Sequence, residues 1–260
     1  MKWRWLIPLA VVIFLCTLIL RAPAAYVASW VMPANNTVKL YGIQGTLSQG
    51  QVAAVRYDKR PVLNHLHWTL QPWKLLLGRI ALDLNGGTGD PRIHGTLQLS
   101  PSTLRASDLM IEAQLKTLLT IAGYSFLPFD GLLHLNIADL TASQTRVDAL
   151  EATGTVRGLR WKLGTTPAKL GNFKIHAYHT DDGSIKATLA STSGPLQLSG
   201  QATLDATGHY ALDLALKPRP DAPKNVVDLL RPLGRPDTTG TYHIHLHGQA
   251  PWPAAAKPSS

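Results

Sequence analysis

The chain has a single cysteine, Cys16, and it lies inside an apolar N-terminal run. The chain beyond that run therefore folds without an internal disulfide, unlike many small secreted domains, and without a thiolate metal centre. Charged residues are scarce at 16%, with 16 Asp and Glu against 25 Lys and Arg, a formal net charge of +9. The basic residues are scattered singly, as at Arg79, Arg92, Arg105, Lys116 and Arg157. With no run of five basic residues and no RNA-recognition or helix-turn-helix pattern, a nucleic-acid partner is not expected. A diffuse positive charge beside an anionic bilayer accounts for the balance better.

Catalytic signatures are missing as well. The chain holds no G-x-S-x-G elbow, no H-E-x-x-H and no phosphate-cradling loop. Gly86-Gly87-Thr88-Gly89 lacks a following lysine and helix, and reads as a hairpin turn. Acidic residues such as Asp83, Asp90, Asp108, Asp130 and Asp148 fall mostly at predicted turns or helix starts, where Asp bonds nearby backbone. No enzymatic activity, cofactor or small-molecule substrate is expected.

What is present begins with a membrane signal. Lys2 and Arg4, interleaved with Trp3 and Trp5, precede residues 6–20, which carry no charge. A spanning helix needs about 20 apolar residues, and Trp5 to Tyr26 meets that length with Arg21 near the exit interface. The positive-inside rule places the N-terminus in the cytoplasm. Ala22-Pro23-Ala24 leaves a cleaved signal peptide open, although proline is awkward there and the apolar character continues beyond it. An acylated Cys16 fits poorly, because Leu15 stands where a small residue belongs. The expected organisation is a cytoplasmic N-terminus and anchor over 1–32, one β-rich periplasmic domain over 33–250, and a disordered tail over 251–260.

Beyond Pro33 the hydrophobic period becomes two. Leu132-Leu133-His134-Leu135-Asn136-Ile137, Trp161-Lys162-Leu163, Leu196-Gln197-Leu198 and Leu212-Asp213-Leu214-Ala215-Leu216 alternate or nearly so, as half-buried strands do. Turn signals separate them at Asn85-Gly86-Gly87, Asp130-Gly131, Asp182-Gly183, Ser193-Gly194-Pro195, Ala206-Thr207-Gly208 and Thr239-Gly240. Short turns between strands imply an antiparallel, elongated meander rather than βαβ units. Helices are predicted over 107–122, with Ser107 or Asp108 as N-cap and Gly123 as stop, and over 224–233; 72–78 reads as a helical turn. The fold class is thus mainly β, with one transmembrane helix and one or two short helices.

His243-x-His245-x-His247 is the sharpest chemical motif. On a strand the three imidazoles share a face about 7 Å apart. They interleave with Tyr242, Ile244 and Leu246, so they read as the polar face of a half-buried strand. No metal is expected; these three are the candidate set if one is held. His65-x-His67 repeats the pattern beside Trp68.

Three segments together carry a resemblance. They are Leu40-Tyr41-Gly42-Ile43-Gln44-Gly45-Thr46-Leu47-Ser48-Gln49-Gly50; Leu66-His67-Trp68-Thr69-Leu70-Gln71-Pro72-Trp73-Lys74-Leu75-Leu76-Leu77-Gly78-Arg79; and Leu229-Leu230-Arg231-Pro232-Leu233-Gly234-Arg235-Pro236-Asp237. This arrangement resembles the type II secretion system protein N family of Gram-negative bacteria across nearly the whole chain. The pattern W-x-L-x-P-W-x-L-L-x-G-R from Trp68 to Arg79 is its most specific piece. The resemblance implies a bitopic cell inner-membrane protein, an accessory to the export of folded proteins across the outer membrane, with other secretion subunits and the bilayer as partners. It implies no catalytic residues.

Trp68 and Trp73 flank Pro72 where a strand gives way to a turn. They either cover the end of the core or form a partner hot spot. The fold also looks distantly like AsmA-type periplasmic sheets, whose apolar troughs are linked to lipid handling. A secretion subunit asks for a packed core, a lipid binder for a continuous open apolar trough.

Overall fold

The computed structural model describes residues 23–25, 38–57, 60–75, 79–100, 102–143, 146–162 and 166–249. The expected anchor over 1–32 lies outside these residues except for 23–25, and the expected tail over 251–260 lies wholly outside. Among the described residues no helix is long and apolar enough to cross a membrane.

Thirteen antiparallel strands are described, and their order in the sheet is their order in the chain. They are β1 (Val38–Gly45), β2 (Gln49–Tyr57), β3 (Arg60–Leu70), β4 (Ile80–Gly86), β5 (Arg92–Leu99), β6 (Thr103–Gln114) and β7 (Phe129–Ser143). Next come β8 (Val147–Trp161), β9 (Ala168–His179), β10 (Ile185–Ser193), β11 (Leu196–Leu204), β12 (His209–Pro218) and β13 (Tyr242–Gln249). Three short helices interrupt the meander: α1 (Pro72–Leu75), α2 (Leu115–Ala122) and α3 (Lys224–Leu230), the last continued by a 3₁₀ turn, Arg231–Leu233. The chain divides into two compact units, residues 1–100 and 101–260.

The mainly β expectation holds, with corrections of detail. Residues 107–114 are strand, not helix, and only Leu115–Ala122 is helical. Leu109, Ile111 and Ala113 alternate, and they pair with Ile137, Leu135 and Leu133 of β7, which an isolated helix-like spacing does not reveal. Asp108 is no cap: it takes φ +52° inside β6. Asp130-Gly131 is likewise no turn, because it sits within β7 at a shift in register against β8. A bulge and a turn ask for the same residue types. The strand expected around Trp161 ends there, and Leu163 lies outside the described residues.

In the 101–260 unit, register converts alternation into two unlike faces. One row runs Leu109, Ile137, Ala152, Ala177, Ala187, Ala202, Leu212, Leu246, each opposite the next on the neighbouring strand. The next parallel row is Ile111, Leu135, Gly154, Ile175, Leu189, Gly200, Leu214, Ile244. At the strand spacing of about 4.8 Å, each row crosses roughly 34 Å without a charge. The opposite face shows Met110, Asn136, Thr153, His176, Thr188, Gln201, Asp213 and His245 in a single row.

The core of this unit is local. Val226 and Leu230 of α3 pack against Val156, Ala168, Leu170, Phe173, Leu196, Leu216 and Tyr242, all buried. Phe129 and Trp161 meet edge to face at 4.8 Å beside them. Away from α3 the same face opens. Leu214 and Ile244 are half-buried, and Leu246 is 52% exposed.

In the 1–100 unit, Leu66, Trp68 and Leu70 pair with Gly86, Leu84 and Leu82, which continue to Ile93, Gly95 and Leu97. His65, at φ +52°, flips the strand within its length, so that Leu63 and Leu66 both approach Gly86.

Candidate interaction surface

Trp68 belongs to the apolar face of β3. Its ring lies over Gly50, filling the space a side chain there would need, and its indole N–H donates to the carbonyl of Leu47 at 3.2 Å. The residue thereby ties the β1–β2 turn to β3, and it is half-buried. Trp73 is different. It stands on α1, 58% exposed, with Nζ of Lys74 5.2 Å from its ring centre. The pair read together from sequence is split by the fold: one tryptophan is engaged internally, the other offers its face to solvent.

Between them, Gln71 turns back onto the polar face. Its amide donates to both carboxylate oxygens of Asp83 at 2.8 Å, and the Thr96 hydroxyl donates to Oδ1 at 2.8 Å. The Gln71 contact first, then Thr96, holds the Asp83 carboxyl below its ordinary range against the opposing effect of burial. This network fixes the start of α1 to β4 and β5, and so sets where Trp73 points.

The three histidines of β13 line the polar face, as alternation predicts. His245 Nδ1 lies 2.6 Å from Asp213 Oδ1, and His243 Nε2 lies 3.0 Å from Asp237 Oδ2. Their rings are parallel, 6.3 Å apart, while His247 stands opposite Ala211. Each of the first two imidazoles thus has its own carboxylate. Among the described residues, no three His, Cys, Asp or Glu side chains are grouped to hold a metal ion. Asp237 also accepts from the Thr239 hydroxyl and the Thr241 amide, which with His243 depress its pKa strongly. It is primarily the cap of the turn before β13.

Two relationships at these surfaces were hidden in the sequence. Asp213 sat in plain view within an alternating segment, but only the β12–β13 register brings it to His245. The continuity of the aliphatic rows across eight strands was equally hidden, because each strand supplies just one residue to each row.

A sequential antiparallel meander, which in the 101–260 unit has one aliphatic and one polar face, defines a β-sheet protein. The chain belongs to the family described as type II secretion system (T2SS), protein N, whose model matches residues 36–245. Type II secretion system protein N of Vibrio cholerae is 24% identical over 245 residues, covering 91% of this chain and 94% of that one. The Aeromonas hydrophila protein of the same name is 26% identical, covering 96% and 100%. That of Pectobacterium carotovorum is 27% identical over 127 residues, 46% of this chain and 48% of its own. No solved structure matches the chain.

Proposed function

We propose that this protein is an inner-membrane component of a type II secretion machine, held by its N-terminal apolar segment and supporting export of folded proteins across the outer membrane. The observation that carries the reading is the family match over residues 36–245, together with relatives of that name that align along nearly their whole length. In this reading residues 1–32 form the cytoplasmic N-terminus and anchor, 33–250 work in the periplasm, and the protein acts through contacts with other secretion subunits rather than by catalysis.

Two features suit such contacts. Trp73 presents a large apolar surface beside a cation on a short, well-braced helix, the kind of residue that dominates binding energy. The β13 edge pairs with β12 without a break in register, so its outer backbone groups are aligned to receive a partner strand. Deleting the gene and measuring extracellular against periplasmic levels of an exported enzyme tests the role. Unchanged export in the deletion strain rejects it. Photo-crosslinking from position 73 in the same cells tests the partner contact, which fails if no secretion subunit is recovered.

A second reading has its own support. The aliphatic rows of the 101–260 unit are covered by α3 near Val226 and Leu230. Away from it Ala152 and Gly154 are buried, while Leu109, Leu189, Leu214 and Ile244 are half-buried and Leu246 is exposed. Every central strand has its backbone paired on both sides, so the face suits an occupant that needs no hydrogen bonds. Acyl chains meet that condition. Mass spectrometry of lipid co-purifying with the full chain tests it, with Leu214→Asp as the variant that should lose the lipid.

A further inference from the structure

We infer that the helix-capped end of the 101–260 unit is a docking surface for an anionic lipid bilayer, separate from the N-terminal apolar segment. Both helical connections of this unit, α2 between β6 and β7 and α3 with its 3₁₀ turn between β12 and β13, leave the strands at the same end. The β8–β9 and β10–β11 connections lie there too, since antiparallel strands alternate direction.

Charge is sorted along the strands. At the capped end the strand termini supply Arg157, Arg160, Lys162, Lys169 and Lys217, and the helical connections supply Lys116, Arg219, Lys224, Arg231 and Arg235. Among the described residues of these termini and connections, the acidic ones are Glu112, Asp130, Asp221, Asp228 and Asp237. Asp130 is shared by Lys162 at 2.7 Å and Arg160 at 3.5 Å, and Asp228 meets Arg231 at 3.1 Å, so the positive excess survives local pairing. The opposite end reverses the balance, its turns and strand termini carrying Asp139, Asp148, Glu151, Asp181, Asp182 and Asp205 against Arg105, Arg146 and Lys186.

The second observation is independent of charge. The same capped end carries large apolar side chains in solvent: Phe126 at 74% exposure and Tyr124 at 53% after α2, and Leu233 at 44% after α3. Tyr124 and Phe126 meet edge to face, ring centres 6.1 Å apart, so they stand as one aromatic tip. Apolar tips within a basic surround match the headgroup region, where aromatic rings insert and Lys and Arg meet anionic phosphates. The tips sit on separate connections and offer no strand edge, and so fit a fluid surface rather than a partner of fixed shape.

The test uses the full chain in a Cys16→Ser background, with an environment-sensitive nitrobenzoxadiazole dye on Phe126→Cys, reconstituted into vesicles. With phosphatidylglycerol present, the dye should shift to the blue, brighten severalfold and be quenched by spin-labelled lipid. It should respond weakly in pure phosphatidylcholine and lose the response in high salt, which screens surface charge. The same dye on Ala206→Cys, at the other end, should remain in water throughout. A dye at 126 that stays in water beside phosphatidylglycerol, or that responds equally without anionic lipid, overturns the inference. So does an equal response at 206. Lys224→Glu with Arg235→Glu should reduce the response at 126, and an undiminished response also overturns it. None of these outcomes depends on secretion activity.

Discussion

Trp68 and Gly50 form a single packing unit: the indole ring occupies the position that any side chain at residue 50 would take. The backbone carbonyl of Gln44 closes the same space at 2.7 Å, so neither neighbour yields easily. Gly50→Ala should therefore destabilise the protein by about 1–3 kcal/mol, the range for overpacking. Adding Trp68→Phe should recover part of that loss, since contacting residues couple. Denaturant unfolding of the detergent-solubilised full chain measures both, and additive effects would refute the packing assignment.

The two tryptophans should separate in experiment. Trp68→Ala removes a half-buried ring and its bond to Leu47, and should lower stability by roughly 2 kcal/mol, below the range for a fully buried aromatic. Trp73→Ala should change stability by less than about 0.5 kcal/mol, as exposed substitutions do, while reducing any crosslink made from its neighbours. A Trp73→Ala protein that unfolds as readily as Trp68→Ala would make both residues structural.

The capped end is where the larger unit stores its stability. Leu230 is 3% exposed beneath α3, and Leu230→Ala should cost about 2–5 kcal/mol. Leu233, three residues on and 44% exposed, should cost under about 0.5 kcal/mol when changed to Ala. Trp161, packed on Phe129 at that end, contributes to the fluorescence change that reports the unfolding.

Acid should weaken the 1–100 unit in a defined direction. The folded-state pKa of Asp83 is depressed, chiefly by the Gln71 amide, so its contribution is present above the unfolded carboxylate pKa of about 3.9. It is lost as pH falls through the folded value. Gln71→Ala should raise the Asp83 pKa towards the ordinary range, read by carbon NMR of the carboxyl, and should shallow the fall of stability below about pH 4. An unchanged carboxyl titration would remove Gln71 as the cause.

Much of the fold was legible locally. Asp182-Gly183, Ala206-Thr207-Gly208 and Thr239-Gly240 all close turns, because Asp accepts from backbone two residues on, and glycine takes the positive φ each turn needs. Residues 107–114 were illegible for a specific reason. Their aliphatic spacing serves a helix or a strand, and only the pairing with β7 chooses. For the site, β13 alternation put His243, His245 and His247 on one polar face, but the carboxylates that meet His243 and His245 come from the preceding turn and from β12.

The amino-acid order by itself determined the mainly β class of fold: a period of two and glycine-bearing turns are local facts that chain stiffness and solvation act on directly. Tertiary structure alone decided which residues meet. Register turned one aliphatic residue per strand into an apolar face crossing eight strands, covered one end of it with α3, packed Trp68 against Gly50 and left Trp73 outside. The physical reason is that each of these is a contact between segments far apart in the chain, and no single segment carries the information for it.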